Sequence, residues 1–537
     1  MAFAGMGSDL KKKDRGIDML LFTVCDQYIE KEYRVRRTRI IAGVLMVCWA
    51  MIALTVPVMA SVWPQPDWEV RAQSAKVDRA KLDAVIQSAI HSAPEGTRAI
   101  LVVEDGAIIA ERYAPGYDAN TRFVSYSMAK SYTSTLVGIL VGQGRLKLDG
   151  PAPVPEWSAV GDPRGKIRLV DMLHMSSGIH SSESASRQVT DTAAMLFGAG
   201  RKDVARHGAD HPLKYVPGRH WMYSNSTSNV LSGIVRRSVG DTKEAYLKFI
   251  NEYLFVPLGM RSTTLGFDDR GTFVGSTYVW ATARDYAKLG LLYLRGGEWQ
   301  GRLILAKNWT KFVSTPAPAS KGEYGGHFWL GPQPSATAQD PELAHAKDWP
   351  ADEYSARGLF GQVISISPSK RLVVVILGHT LHLPAGKGNA IRDRQIMDIY
   401  RTVQNSTEPE KAGNIQDVIA SVGVVRDAKS VKRNAEKIER SQTGAKALDV
   451  SLFDESLLPD NPSEESIQTN AYSLGFIHCA CLFVQGGTPE QCLADWLPPG
   501  MEEILPQVDT ANKRVVVSDG QWTADVQYDG PSVGCSF

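Results

Sequence analysis

Two β-hairpin signatures, far apart in the chain, constrain its fold more than any other feature. Arg98–Val103 and Ala107–Tyr113 are β-rich runs that meet at Glu104-Asp105-Gly106, and Gln362–Ser367 and Arg371–Leu377 flank Pro368-Ser369-Lys370. Aliphatic runs closed by Asp-Gly or Pro-Ser turns are what a hairpin requires. Between them the patterns are helical, at Met128–Gly142 (ended by Gly142-Gln143-Gly144), Leu169–Met175, Asn229–Val239, Thr242–Phe255 and Thr282–Arg295; a further helix around Arg79–Ser92 follows a linker-like stretch, 64–80. Strands at both ends with helices between predict that the ends of this unit meet in one antiparallel sheet. The expected class is α+β, an antiparallel sheet flanked by helices with an inserted helical region.

Ahead of that unit, Ile40 to Trp63 runs for 24 residues without Asp, Glu, Lys, Arg or His. A helix of that length crosses a hydrocarbon core of about 30 Å. Lys31, Arg34, Arg36, Arg37 and Arg39 precede it, while Asp67 and Glu69 follow it and no cation comes before Arg71. Positive residues stay inside, so residues 1–39 are expected in the cytoplasm, 40–63 in the membrane, and the rest outside, in the periplasm. A buried core helix would carry a polar face, which this run lacks. A cleaved signal peptide is the rival, with Val58-Met59-Ala60 as a cleavage site; the 39-residue cationic lead favours an uncleaved anchor.

Cysteine usage agrees with this topology. Residues 64–478 contain none, whereas Cys479, Cys481, Cys492 and Cys535 cluster near the C-terminus, where an oxidising compartment allows two disulfides in any of three connectivities. Zinc is the alternative, disfavoured because Cys479-Ala480-Cys481 is too tight for the usual ligand pairing. A formal net charge of +1 argues against a nucleic-acid footprint, and the phosphate-cradling and dinucleotide-binding glycine motifs are absent. Glu408 to Lys446 is charged and poor in large apolar residues, a linker with some helix; residues 472–537 regain apolar runs and read as a small appended module.

The chemistry is carried by a serine–lysine pair. S-x-x-K occurs at Ser8–Lys11, Ser127–Lys130 and Ser367–Lys370. Ser8 lies in the cytoplasmic lead and Ser367 in a hairpin turn; Ser127 alone stands at the start of a helix. Residues i and i+3 share a helical face, so Lys130 points at Ser127. A serine hydroxyl becomes a nucleophile when a base takes its proton. Lysine serves as that base when burial or nearby positive potential lowers its pKa, and a helix N-terminus can also hold an oxyanion. Tyr223-Ser224-Asn225 follows Pro217-Gly218; a tyrosine can relay the proton to a leaving group, and Asn225 can bind a substrate amide and bridge to Lys130.

Six segments in order resemble the serine β-lactamase and penicillin-binding-protein superfamily: Phe123 through Ser131; Gly144 through Asp149; Val170 through Ile179; Pro217-Gly218 through Tyr223-Ser224-Asn225; Pro257 through Met260; and Ala281 through Gly290. They are most similar to its class C-like branch, which holds esterases, D-amino-acid peptidases and 6-aminohexanoate-dimer hydrolase; Met175-Ser176-Ser177-Gly178-Ile179 and Ala281 through Asp285 resemble the last group most. The resemblance covers residues 80–404 and implies a serine hydrolase without metal or cofactor, in which Ser127 is acylated and Lys130 and Tyr223 move protons. It also implies that Gly361 leaves room for substrate and that Gln362 N–H is the second oxyanion donor, Ser127 N–H being the first. The chain departs from the family pattern at Gly358-Leu359-Phe360-Gly361-Gln362, where relatives carry Lys-Thr-Gly or a His variant. Leu359 supplies no cation for a substrate carboxylate, which points to a neutral small-molecule amide or ester. A penicillin-recognising enzyme (a β-lactamase or D-Ala-D-Ala carboxypeptidase) and a catalytically silent tethered binding protein are the alternatives.

Other candidates are weaker. His207 and His211 have metal-helix spacing but no third ligand, so a surface or loop pair is expected, as for His379 and His382. Trp280, Trp299, Trp309, Trp329 and Trp349 either pack the core or line the cleft. The C-terminal module resembles a short cysteine-containing segment of some relatives and is expected to be a disulfide-stapled flap or packing element.

Overall fold

The hairpins form because their turns supply the left-handed backbone a tight reversal needs. Asp105 and Gly106 have φ of 51° and 86°, joining β1 (Thr97–Glu104) to β2 (Ala107–Tyr113). Arg371, with φ 55°, turns β5 (Gln362–Ser367) into β6 (Leu372–Gly378). The two hairpins join as expected: β1 pairs antiparallel with β6, Ile100 opposite Ile376. With β3 (Trp329–Leu330) and β4 (Tyr354–Gly358) the order is β2-β1-β6-β5-β4-β3. This computed structural model describes residues 62–72, 74–91, 96–181, 190–378, 386–409 and 413–423, together with 475, 479–489, 492, 506–518, 523–528 and 535–536. Residues 40–61 of the expected anchor lie outside the described residues, as do His379 and His382, while Trp63, at its expected end, packs on Trp299 with ring centroids 5.0 Å apart; among the described residues no helix is long and apolar enough to cross a membrane.

Alternation along the central strands explains their unbroken apolar sequence. Ile100, Val102, Val374 and Ile376 face one side, in a core with Leu82 and Ile86 of helix α1 (Arg79–His91) and with Ile396 and Tyr400 of helix α5 (Lys387–Arg401). Leu101, Val103, Val373 and Val375 face the other, into the main core with helix α2 (Ala129–Gly142), helix α3 (Asn225–Val239) and helix α4 (Ala283–Leu294). A strand covered on both faces has no place for polar alternation.

Several boundaries differ from expectation for local reasons. Helix α3 starts at Asn225, not Asn229, because the Ser224 hydroxyl caps it, accepting from Thr227 N at 3.0 Å. Thr242 caps Lys243–Ile250, which widens into a π-turn over Asn251–Phe255 instead of continuing as one helix. The stretch beginning at residue 64 is not a free linker. Gln65 Nε2 donates to the Pro257 carbonyl at 2.6 Å, and Arg71 N and Ile108 N bond across to Ile108 O and Glu69 O at 2.8 Å each. Beyond residue 404, Lys307 N donates to Gly423 O at 3.0 Å, tying the Ile415–Ser421 helix to the same body.

The C-terminal segment forms a four-stranded antiparallel sheet of Gln507–Asp509, Arg514–Ser518, Thr523–Tyr528 and Cys535–Ser536. The disulfides are Cys479–Cys535 and Cys481–Cys492. They staple the π-turn Ala480–Gln485 to the last strand and to Cys492.

Candidate active site

The backbone that carries Ser127 is fixed before its helix begins. Ser125 is clamped to a neighbouring strand: its N donates to Val279 O at 2.7 Å, its hydroxyl donates to Thr277 O at 2.8 Å, and Val279 N donates to that hydroxyl at 3.0 Å. Tyr126 then takes φ 45°, a conformation that costs a bulky residue roughly 1–3 kcal/mol and persists where surrounding packing enforces it. The 3₁₀ turn Tyr126–Met128 carries Ser127 directly into α2.

Every residue of α2 is buried, so its Ser/Thr-rich sequence needs internal partners. The hydroxyls supply them by holding loops. Ser131 donates to His327 O at 2.8 Å, Thr133 to Gly275 O at 2.9 Å and Ser134 to Gly326 O at 2.9 Å. Gly275 must be glycine there, since an added Cβ would stand 2.2 Å from Thr133 Oγ1.

These anchors bring Ser276 to Lys130, which is 1% exposed. Lys130 Nζ donates to Ser127 Oγ at 3.0 Å, to Ser276 O at 3.0 Å and to Asn225 Oδ1. Asn225 Nδ2 donates to Thr192 Oγ1 at 2.7 Å. Asn229, one helical turn further on, clamps Ser276 from behind: its Nδ2 donates to Ser276 Oγ and its Oδ1 accepts from Ser276 N, each at 3.0 Å. Lys130 Nζ lies 4.8 Å from the centroid of the Tyr223 ring. Ser127 and Tyr223 are half-buried and thus reachable from solvent, while the amine between them is not.

Tyr223 is delivered by a loop that the Met175–Gly178 segment holds in place. Met222 N donates to Met175 O at 2.8 Å and Gly218 N to Ser176 O at 2.7 Å. Gly178 (φ 79°) sits where a Cβ would strike Tyr215 O at 2.1 Å. The phenol ring lies against Trp329 and Tyr324, at centroid distances of 5.4 and 6.0 Å, and Trp221 packs on all three. Behind them, burial pushes His327 down to about 3; its bond to Leu173 O opposes this shift and charge at Lys130 adds to it. The neutral ring donates from Nδ1 to Leu173 O at 2.8 Å and accepts from Ser228 Oγ at 3.1 Å, joining α3 to the loop before β3.

The expected site residues thus fall into two groups. Ser127, Lys130, Tyr223 and Asn225 come together. In the Gly358–Gln362 stretch the contact differs from the sequence-based assignment, because Leu359–Gly361 form a turn between β4 and β5 with Phe360 at φ 60°. Gly358 abuts the backbone just before Ser127: a Cβ at Gly358 would lie 2.1 Å from Ser125 O. Gln362 turns its side chain into the sheet, where Nε2 donates to Gly378 O at 2.5 Å. Leu359 is 57% exposed, and the Phe360 ring meets the Tyr126 ring edge-on at 5.1 Å. Arg357, directly before Gly358, is 2% exposed and pairs with Asp393 of helix α5.

Sequence reasoning missed Thr192, Ser276, Asn229, His327, Trp221 and Tyr324, which have no motif of their own. The tryptophans are now sorted: Trp280, Trp299 and Trp309 are buried in cores, Trp349 packs half-buried at the edge of two apolar clusters, and Trp329 lies against Tyr223. The His207 and His211 rings meet edge-on at 5.0 Å, with His211 Nδ1 2.9 Å from His180 O. Among the described residues no group of three or more His, Cys, Asp or Glu could hold a metal.

Comparison with known proteins agrees with this architecture. The model of the family described as Beta-lactamase matches residues 82–397. The 6-aminohexanoate-dimer hydrolase of Paenarthrobacter ureafaciens is 25% identical over 322 residues, 57% of this chain and 79% of that protein. Protein flp of Staphylococcus aureus (strain MW2) is 25% identical over 195 residues, 34% of this chain and 38% of that one. Among solved structures, a Bacillus anthracis protein provisionally assigned as a 6-aminohexanoate-dimer hydrolase shares the fold, with 20% identity, coverage of 64% of this chain and 89% of its own, and a TM-score of 0.50.

Proposed function

The chain belongs to the beta-lactamase family, and from that premise we propose that it hydrolyses neutral amide or ester bonds through an acyl-Ser127 intermediate. One observation carries this reading. A buried lysine amine lies 3.0 Å from a solvent-reachable serine hydroxyl and is held by Asn225 and Ser276. A lysine takes a serine's proton in its neutral form, and removal from water favours that form. Ser127 Oγ bonds to the substrate carbonyl carbon as Lys130 accepts its proton. The oxyanion is held by Ser127 N–H and by the backbone N–H that follows Gly358, which we favour over Gln362 N–H because Gly358 is the residue pressed against the Ser125 backbone. Tyr223 gives a proton to the departing amine or alcohol and recovers one from the Lys130 ammonium, and the carbonyl–leaving-group bond breaks. Water then attacks the acyl-enzyme, gives up its proton through the same groups, and releases the acid with Ser127 restored.

The preference for neutral substrates is supported by the Arg357 guanidinium, which is spent on Asp393 instead of being offered to a substrate carboxylate. The test is labelling of the chain from residue 64 with a fluorophosphonate and with a fluorescent penicillin, beside Ser127→Ala. Labelling of the wild type by the fluorophosphonate alone is expected. Labelling by both would favour a penicillin-recognising enzyme, and labelling by neither would leave a binding protein.

We also propose that the catalytic unit is extracytoplasmic and tethered by residues 40–63. The uncharged run, the cations before it and the two C-terminal disulfides support this. Protease treatment of spheroplasts should degrade the catalytic unit, and full protection would refute the topology.

A further inference from the structure

The C-terminal cystine module shares an apolar core with the margins of the catalytic site. Cys479, Cys481, Leu482, Val484, Cys492, Val515, Val517, Ala524, Val526 and Cys535 form one buried cluster with Val124, Met195, Leu196, Val204, Val274, Tyr278 and Trp280. Tyr126 and Phe360 pack against that cluster from its edge. Four of these residues adjoin the site. Tyr126 directly precedes the nucleophile, and Phe360 belongs to the turn that follows Gly358. Met195 and Leu196 end the Asp191–Leu196 helix, whose Thr192 holds the Asn225 amide. The module therefore borders the site on two fronts: the turn beside the nucleophile and the helix behind Asn225.

The backbone supplies a second, independent observation. Tyr126 and Phe360 are both bulky residues at positive φ, 45° and 60°, and their rings meet edge-on. Two strained positions facing each other need packing to over-determine them, and the cluster that does so is built in large part from the module.

We propose that the cystine module is a working wall of the substrate site, holding the Tyr126–Phe360 pair as the apolar limit on the acyl group that Ser127 accepts. This rests on the hydrolase reading above. The substrate class it implies is an ester or amide with a small or compact apolar acyl group, bounded on one side by Tyr126 and Phe360. Loosening the module opens that side and admits longer acyl chains.

The experiment uses the full chain and p-nitrophenyl esters. The ratio of kcat/KM for octanoate to that for acetate is measured for the oxidised protein, for the same protein after disulfide reduction, and for Phe360→Ala and Leu482→Ala, with fluorophosphonate labelling alongside. Reduction, Phe360→Ala and Leu482→Ala should each raise the ratio at least fivefold, and the double variant should rise by less than the product of the two singles. Since Leu482→Ala removes only one buried side chain of the module, it keeps the test decisive if the reduced protein unfolds. A ratio within twofold of wild type in Leu482→Ala, with labelling retained, overturns the proposal. A wild type that takes no fluorophosphonate overturns the hydrolase reading and this inference with it.

Discussion

Gly358→Ala is the most exacting test of how the site is built. Gly358 has an ordinary extended backbone, φ −129° and ψ 161°, so alanine brings no conformational strain of its own. What it brings is a Cβ 2.1 Å from Ser125 O, 3.1 Å from the Gln362 side chain and 3.2 Å from Ser125 C. Real Cβ atoms do not approach closer than 3.0 Å, so the strand edge and the Ser125 backbone must part by about 0.9 Å. Ser125 cannot yield easily, because three hydrogen bonds pin it to Thr277 and Val279. Most of the shift therefore falls on β4 and the turn after it, which move away from Ser127. A misplacement near 1 Å at a reacting centre costs about 100-fold, or roughly 2.7 kcal/mol of transition-state stabilisation. The packing cost to the fold is about 1–3 kcal/mol, enough to lower Tm by several degrees without unfolding the protein at 25 °C. Steady-state hydrolysis of p-nitrophenyl acetate and a thermal melt measure the two effects separately. A variant that keeps kcat/KM within threefold of wild type would refute the claim that Gly358 sets the distance between the nucleophile and its oxyanion donor.

Three further outcomes follow from the same geometry. Tyr223→Phe keeps the ring beside Lys130, Trp329 and Tyr324 but loses the hydroxyl; kcat should fall by roughly 10²–10⁴ with Tm unchanged, and an unaltered kcat would remove Tyr223 from proton transfer. Asn225→Ala strips one partner each from Lys130 and Thr192; a loss of about 10- to 100-fold in kcat/KM is expected, and a loss in Tm alone would make the residue structural. Burial pushes Glu353 up to about 7, against the opposing pull of Arg357 and Ser365. Because its folded pKa lies above the unfolded value near 4.5, the stability it contributes is fully present below about 4.5 and is lost as pH rises through 7. Wild type should therefore gain stability over Glu353→Gln between pH 8 and pH 5, by an amount on the order of a few kcal/mol; a pH-independent difference between their denaturant midpoints would contradict this.

What the sequence disclosed and what it concealed divide along a physical line. The hairpins were legible because Asp105-Gly106 and the Pro368–Arg371 turn encode left-handed backbone locally, and because β1 and β6 are apolar throughout. Ser127 and Lys130 were legible because i, i+3 spacing at a helix start puts them on one face, and Tyr223 and Asn225 because the ordered segments around them resemble the family's. The contacts that orient them were not, since Ser276, Asn229, Thr192 and His327 act through hydrogen bonds between segments far apart in the chain, and no periodicity marks such a residue. At Gly358–Gln362 two glycines stand three residues apart, and only the three-dimensional path of the turn tells how each lies against Ser125. Residues 64–71 read as a linker because they contain two prolines and few aliphatic residues, yet their polar backbone pairs with β2 and with Pro257.

The polarity of α2 joins these two kinds of information. A central helix with no exposed residue would ordinarily be aliphatic, and Ser131, Thr133, Ser134 and Thr135 each carry a group whose burial without a partner costs about 1–3 kcal/mol. Three of the four spend that group on a backbone carbonyl of a loop, and the two loops so held are those that carry Ser276 and His327. Ser276 receives the Lys130 amine, and His327 braces Ser228 of the helix that begins at Asn225. The residues after Lys130 are thus the means by which one helix places the nucleophile at its own start and fixes the far side of the site through its flank. Replacing those hydroxyls by apolar groups of equal size would leave the core as well packed as before. It would also leave the His327, Gly275 and Gly326 carbonyls without those donors, at about 1–3 kcal/mol each, and free the two loops, so stability and the position of the Lys130 amine would suffer together.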